Sequence, residues 1–121
     1  MRLRPTFALP LFALALAACD SSDPDPVLLR VENASALDFS SVVVGFPEAD
    51  ANYGAVAAGQ ASDYLEFETA YRYGAITAEA AGETYRLVPF DFVGEEPLAA
   101  GRYTYVLTVD GSNIELELET E

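Results

Sequence analysis

Arg102-Tyr103-Thr104-Tyr105-Val106-Leu107-Thr108-Val109-Asp110-Gly111-Ser112-Asn113-Ile114-Glu115-Leu116-Glu117-Leu118-Glu119 is the stretch that decides the fold class. Tyr103, Tyr105, Leu107 and Val109 fall on one face of the first half. Ile114, Leu116 and Leu118 fall on one face of the second, while Glu115, Glu117 and Glu119 alternate to the other. A period of two belongs to a β-strand with one dry face and one wet face. The four residues between the halves allow two turns. Gly111-Ser112 fits a type II′ turn and pairs Val109 with Ile114, whereas Asp110-Gly111 fits a type I′ turn and pairs Leu107 with Ile114. The registers differ by two residues, so both keep the apolar faces together.

Outward from this hairpin, short apolar or alternating runs separated by Gly, Asn, Asp and Pro continue back to Val27, with no sustained helical period. Candidate strands occupy 27–33, 40–46, 53–57, 62–68, 70–80, 83–90, 102–110 and 113–120. Seven or eight strands in about 95 residues predict an all-β fold, an antiparallel β-sandwich of immunoglobulin or transthyretin type. A small β-barrel is the alternative. The run Val42-Val43-Val44, ended by Pro47, predicts a central strand covered on both sides or crossing the core. Asp91 to Pro97 reads as an acidic loop, and Leu98 to Gly101 as the turn that enters the hairpin.

Composition places this domain outside the reach of polyanions. The 121 residues contain no Lys and no His, and Arg2 and Arg4 precede every acidic residue. Past residue 18, four arginines face all 20 acidic residues, a formal charge of −16. Such a surface repels nucleic acid and anionic headgroups. Adaptation to high salt and ordinary solubility both account for the acidity, and a GC-rich genome would also replace Lys with Arg.

The 51% hydrophobic content is inflated by the N-terminus, where Arg2 and Arg4 precede an apolar run from Phe7 to Ala18 interrupted by Pro10. This is the layout of a cleaved signal peptide, and the run is shorter than the roughly 20 residues of a membrane span. Leu16-Ala17-Ala18-Cys19 resembles the lipobox of bacterial lipoproteins. That resemblance implies signal-peptidase recognition through Leu16, Ala17 and Ala18, cleavage before Cys19, and a diacylglyceryl group on its sulfur with a further N-acyl chain. Two or more chains give stable anchoring where one gives marginal binding. No other cysteine exists to form a disulfide with Cys19.

The expected organisation is a signal peptide at 1–18, a lipidated Cys and acidic Pro/Ser tether at 19–26, and one β-sandwich domain at 27–121. The partner implied first is the membrane, through the lipid. Asp20 resembles the inner-membrane retention signal of enteric lipoproteins, and the acidic stretch after Cys19 resembles the surface-export signal of Bacteroidota lipoproteins. These imply different leaflets: the outer membrane or cell surface, or the periplasmic face of the inner membrane.

A second resemblance lies within the domain. Val31-Glu32-Asn33-Ala34-Ser35, Val42-Val43-Val44, Tyr53-Gly54 with Val56, and Ser62-Asp63-Tyr64 look like landmarks of a small β-sandwich domain of unknown function from secreted bacterial envelope proteins. It spans roughly the first half of the mature chain, and it implies a fold and no activity.

Without His, the Ser-His-Asp and Cys-His nucleophile arrangements are unavailable. Zinc loses its usual ligands, and no glycine-rich phosphate loop occurs. Asp91, Glu95 and Glu96, beside Gly94, are the candidates for a Ca²⁺ site built from carboxylate and carbonyl oxygens. Tyr71, Tyr73, Tyr103 and Tyr105 alternate along candidate strands and are the candidates for an exposed platform for a glycan or a partner protein, an alternation that cross-strand packing also explains. The reading that follows is a non-enzymatic envelope lipoprotein serving as an interaction or structural module, with no cofactor beyond its lipid. The alternative is a lipoprotein that binds carbohydrate, peptide or a divalent cation.

Overall fold

Strict alternation becomes packing in the computed structural model, which describes residues 26–89 and 96–121. Eight strands form in chain order: β1 (Val27–Asn33), β2 (Phe39–Gly45), β3 (Asp50–Val56), β4 (Leu65–Phe67), β5 (Ala75–Ala80), β6 (Glu83–Leu87), β7 (Gly101–Asp110) and β8 (Asn113–Thr120). They make two four-stranded sheets, ordered β4-β1-β7-β8 and β3-β2-β5-β6, so the fold is a β-sandwich and not a closed barrel. Alternate residues of β1, Val27, Leu29 and Val31, meet Val42 and Val44 of β2, Ile76 and Ala78 of β5, and Tyr105 and Leu107 of β7 in one shared core. Burying a side chain of this size contributes about 1.5–3 kcal/mol, so the two inner faces hold the sheets together.

The C-terminal hairpin resolves the choice of turn. Val109 pairs with Ile114 and Asp110 with Asn113, and Gly111 alone takes a positive φ, 65°. This is the type II′ geometry, which needs φ > 0 at its first central residue.

Every strand pairing is antiparallel except β1 with β7, which run parallel from Val27↔Gly101 to Asn33↔Leu107. The chain leaves the first sheet after β1, visits the second twice, and returns with β7 starting at the same end as β1. Parallel neighbours require such a crossover.

Four local expectations are corrected. The valine run is not covered on both faces: Val42 and Val44 are buried while Val43 is half-exposed on the outer face, although β2 is central in its sheet. Strand β5 begins at Ala75, not at residue 70, because residues 68–74 carry the chain from one sheet to the other and have no strand beside them to pair with. Strand β3 starts three residues earlier than expected and carries a register shift against β2 near Val42. There Gly54 takes φ 75°, as a bulge requires. Strand β4 shrinks to three residues, since only Leu65 to Phe67 align with β1.

The corner between β1 and β2 turns on Asn33, which is fully buried. Its Nδ2 donates to the carbonyls of Leu37 (2.7 Å) and Val56 (2.9 Å), and its Oδ1 accepts from the Ser35 amide (2.9 Å) and hydroxyl (2.6 Å). Its backbone amide donates to Gln60 O and its carbonyl accepts from the Gly59 amide, both at 2.8 Å. One residue, through its side chain and its backbone, thereby fastens two loops to the end of β1.

The β5–β6 turn holds strain that can be relieved. Ala81 and Gly82 both have positive φ, 51° and 82°, the type I′ pattern that favours Asn-Gly. An alanine in the left-handed region is unfavourable by roughly 1–2 kcal/mol. Ala81→Asn is therefore expected to stabilise the domain by about 0.5–1 kcal/mol, a rise of several degrees in Tm. A thermal melt showing a lower Tm than the parent would refute the assignment of strain.

Candidate functional site

The tyrosines expected to form a platform do not. Tyr105 is fully buried and Tyr71 and Tyr103 nearly so. The Tyr105 hydroxyl donates to Tyr71 O at 2.6 Å and the Tyr103 hydroxyl to Ala99 O at 2.7 Å. Tyr103 and Tyr105 share the inner face of β7, as their alternation predicts, whereas Tyr71 and Tyr73 lie in the crossing segment before β5. Of the four only Tyr73 is not buried, and it is half-buried, beside Leu87 and Pro89 in a shallow apolar depression. Packing against the opposite sheet accounts for the other three rings.

Of the expected calcium ligands, Glu96 is exposed, while Asp91 and Glu95 lie outside the described residues. Among the described residues no three His, Cys, Asp or Glu side chains gather as a metal site. Leu16, Ala17, Ala18 and Cys19 also lie outside them. The described chain begins at Pro26, whose carbonyl accepts from the Gly101 amide at 3.2 Å. Pro26 thus lies at the end of the sandwich where β1 and β7 start.

The same end carries a concavity. A cleft of about 500 Å³ opens between the start of β3 and the short strand β4, which are the edge strands on one side of the two sheets. Its floor is apolar: Phe46 and Phe67 meet edge to face, ring centroids 5.3 Å apart, with Leu65 and Ala51 beside them. Phe46 also packs against Tyr71 and Tyr105, at 5.9 and 6.2 Å, so core aromatics support the floor from behind.

Local chemistry fixes the walls. Between β2 and β3 the chain reverses through Phe46 to Ala49, closed by the Phe46 amide donating to Ala49 O at 2.9 Å. The Asp50 carboxylate leans over Gly45, where a Cβ would approach its Oδ1 to 2.8 Å, so any larger residue at 45 would displace that acid. Glu48 accepts a hydrogen bond from the Tyr71 hydroxyl at 3.1 Å; burial, together with this carboxylate, pushes the Tyr71 phenol above its usual pKa. Glu66 and Glu68 face them from the β4 side. Tyr53 crosses from β3 to donate to Leu29 O at 2.7 Å, tying the cleft's β3 wall to the other sheet. Four acids thus surround an aromatic floor, and none of the residues lining the cleft is cationic.

Two of the cations are committed elsewhere. Arg30 and Arg102, on the outer face of β1 and β7, both stack on the Tyr64 ring, at 4.9 and 5.4 Å from its centroid. Arg30 Nε donates to Thr104 Oγ1 at 3.0 Å, and its Nη2 approaches Glu121 at 3.4 Å. The Tyr64 hydroxyl donates to the same Glu121 carboxylate, which is the main reason its pKa is raised. The Arg30–Glu121 pair is solvent-exposed and contributes little by itself.

None of the cleft residues stood out in the sequence as a site. The acid-apolar-acid triplet Glu66-Phe67-Glu68 and the Glu48-Ala49-Asp50 segment are visible there, but the first falls in the candidate strand 62–68 and the second between the candidate strands 40–46 and 53–57, and neither reads alone as a site. Only the fold brings them together.

No protein-family model matches the sequence, and no curated protein matches it. Solved structures do. A protein from Eubacterium rectale superposes with a TM-score of 0.59 at 9% identity, covering 84% of this chain and 94% of the other. A "putative cell adhesion protein" from Bacteroides uniformis matches with a TM-score of 0.48 at 14% identity, and the match spans 80% of this chain and half of that one. At such identities the first likeness speaks to fold alone. The described chain is an all-β protein of the two-sheet sandwich class.

Proposed function

We propose that this chain is a bacterial lipoprotein of the cell envelope, anchored through acyl chains on Cys19, whose sandwich acts as a non-enzymatic interaction module. The observation that carries the reading is Leu16-Ala17-Ala18-Cys19, set between a basic, apolar leader and an acidic tether that leads straight into β1. Two physical arguments support it. Seven tether residues, Asp20 to Pro26, reach at most about 25 Å when extended, so the domain would stay close to the membrane that holds it. A surface with a charge of −16 repels anionic headgroups, so attachment would rest on the acyl chains, each buried methylene contributing about 0.8 kcal/mol.

The test is the intact mass of protein extracted from membranes. Material beginning at Cys19 and carrying diacylglyceryl and N-acyl mass is expected, with a Cys19→Ala variant neither acylated nor cut at that point. A mature form that starts elsewhere, or that holds a free thiol at Cys19, overturns the anchor.

A further inference from the structure

We propose that the cleft between β3 and β4 is the docking groove for an extended, cationic segment of a partner protein, which sets an apolar side chain on the Phe46–Phe67 floor. The proposal deepens the reading of the domain as an interaction module and is independent of acylation. Complementarity of charge identifies the occupant. Glu48 and Asp50 stand on one wall and Glu66 and Glu68 on the other, and among the described residues no cation lines the groove.

The floor asks for more than charge. Phe46 is almost fully buried, and aromatic packing behind it holds the surface in place, so an apolar side chain docks without first reorganising it. The edges ask for an extended backbone. Among the described residues strand β3 ends its sheet and has no neighbouring strand on its outer side, which leaves main-chain groups free for an added strand. Glu66 and Glu68 are two residues apart, the repeat at which an extended partner presents side chains to one face.

The same charges reject the other occupants. The chain's own tether carries Asp20, Asp23 and Asp25 and would meet four acids. A second copy brings another charge of −16, and two of its four mature arginines are already stacked on Tyr64.

The probe is a blocked heptapeptide, Lys-Val-Lys-Phe-Lys-Val-Lys, titrated calorimetrically into the full chain purified in detergent at about 0.15 M salt, where long-range attraction is screened. Controls are the peptide with every Lys replaced by Glu and the one with every apolar residue replaced by Gly. Binding of the first peptide alone is expected. Glu66→Gln with Glu68→Gln should weaken it about tenfold, and Ala51→Trp, which fills the groove, should abolish it. Glu115→Gln with Glu117→Gln removes the same charge from the outer face of β8 and should leave Kd within about twofold.

Equal weakening by the two acid pairs would show diffuse attraction and overturn the proposal. So would unchanged binding to Ala51→Trp, tight binding of the glycine peptide, or no binding of any peptide. If Ala51→Trp fails to fold, the two acid pairs decide the matter. Self-association of the chain that competes with the peptide would assign the groove to a second copy and likewise overturn it. Cys19→Ala protein is expected to bind as the parent does, so loss of the anchor and loss of the groove read out separately.

Discussion

Asn33→Asp is expected to destabilise the domain by about 3–5 kcal/mol at neutral pH, a large part of the 5–15 kcal/mol that holds a small domain together. The amide nitrogen of Asn33 serves the carbonyls of Leu37 and Val56, and its oxygen serves two donors of Ser35. A carboxylate has no hydrogens to give, so its second oxygen would face two carbonyl oxygens in a site with no solvent access. Protonation is the way out, which means burial would raise the new carboxyl's pKa in the folded state.

A raised folded pKa makes the variant's deficit grow as pH rises, because the unfolded chain releases its proton first. Urea unfolding of parent and variant at about pH 4 and pH 7 should therefore show a smaller difference in acid than at neutrality. A deficit below about 1 kcal/mol at pH 7, or one that does not depend on pH, would mean that Asn33 is not the fastener of the β1–β2 corner.

The second large effect lies on the alkaline side. Burial pushes the Tyr105 phenol far above its ordinary pKa, with Tyr53 nearby adding to the rise, and burial raises Tyr53 as well. Folded protein then keeps a phenolic proton that the unfolded chain releases near pH 10. Stability is intact below that point and falls as pH climbs towards the folded value, by about 1.4 kcal/mol per pH unit for one fully buried tyrosine. Tyr105 alone accounts for about 3 kcal/mol by pH 12. Tyr53, only partly buried, adds a smaller share because water screens it.

Few chains display this so cleanly. With no Lys and no His, no side chain of those types titrates between the carboxylates and the tyrosines, and a plateau is expected from about pH 6 to pH 9. Tyr105→Phe should start about 1–3 kcal/mol less stable, since it leaves the buried Tyr71 carbonyl without its 2.6 Å partner. Its decline above pH 10 should be shallower than the parent's. Parallel slopes from pH 10 to 12 in chemical unfolding would show that Tyr105 does not carry the alkaline limb.

How much of this was legible depends on how local each cause is. The C-terminal hairpin was readable because alternation and a two-residue turn act within twenty residues; its faces, one of its two allowed registers and its strand bounds, apart from Gly101, are those of β7 and β8. Strand β1 was readable for the same reason. The stretch 70–80 misled because Tyr71 and Tyr73 alternate like a strand while serving a crossing segment, and alternation cannot tell inward packing on a strand from inward packing on a connection. Val43 misled because an apolar residue on an outer face resembles one in a core.

The aromatics show the same limit at the level of function. Four tyrosines at alternate positions fit a platform as well as a core, and only the second sheet above them decides. The cleft shows it more sharply: Phe46 and Phe67 are 21 positions apart in sequence yet pack edge to face, and the acids beside them gain meaning from that contact alone.

By itself the sequence determined the all-β class of fold, the strong acidic charge and the lack of any His, and it raised the expectation of a lipobox at Cys19. These are properties of composition or of neighbours along the chain, where the physics is local. Tertiary structure alone decided the parallel pairing of β1 with β7, the burial of Tyr71, Tyr103 and Tyr105, the Asn33 fastening and the acid-walled groove. Each depends on which distant segments meet, and that is settled by how two sheets bury their apolar faces against each other.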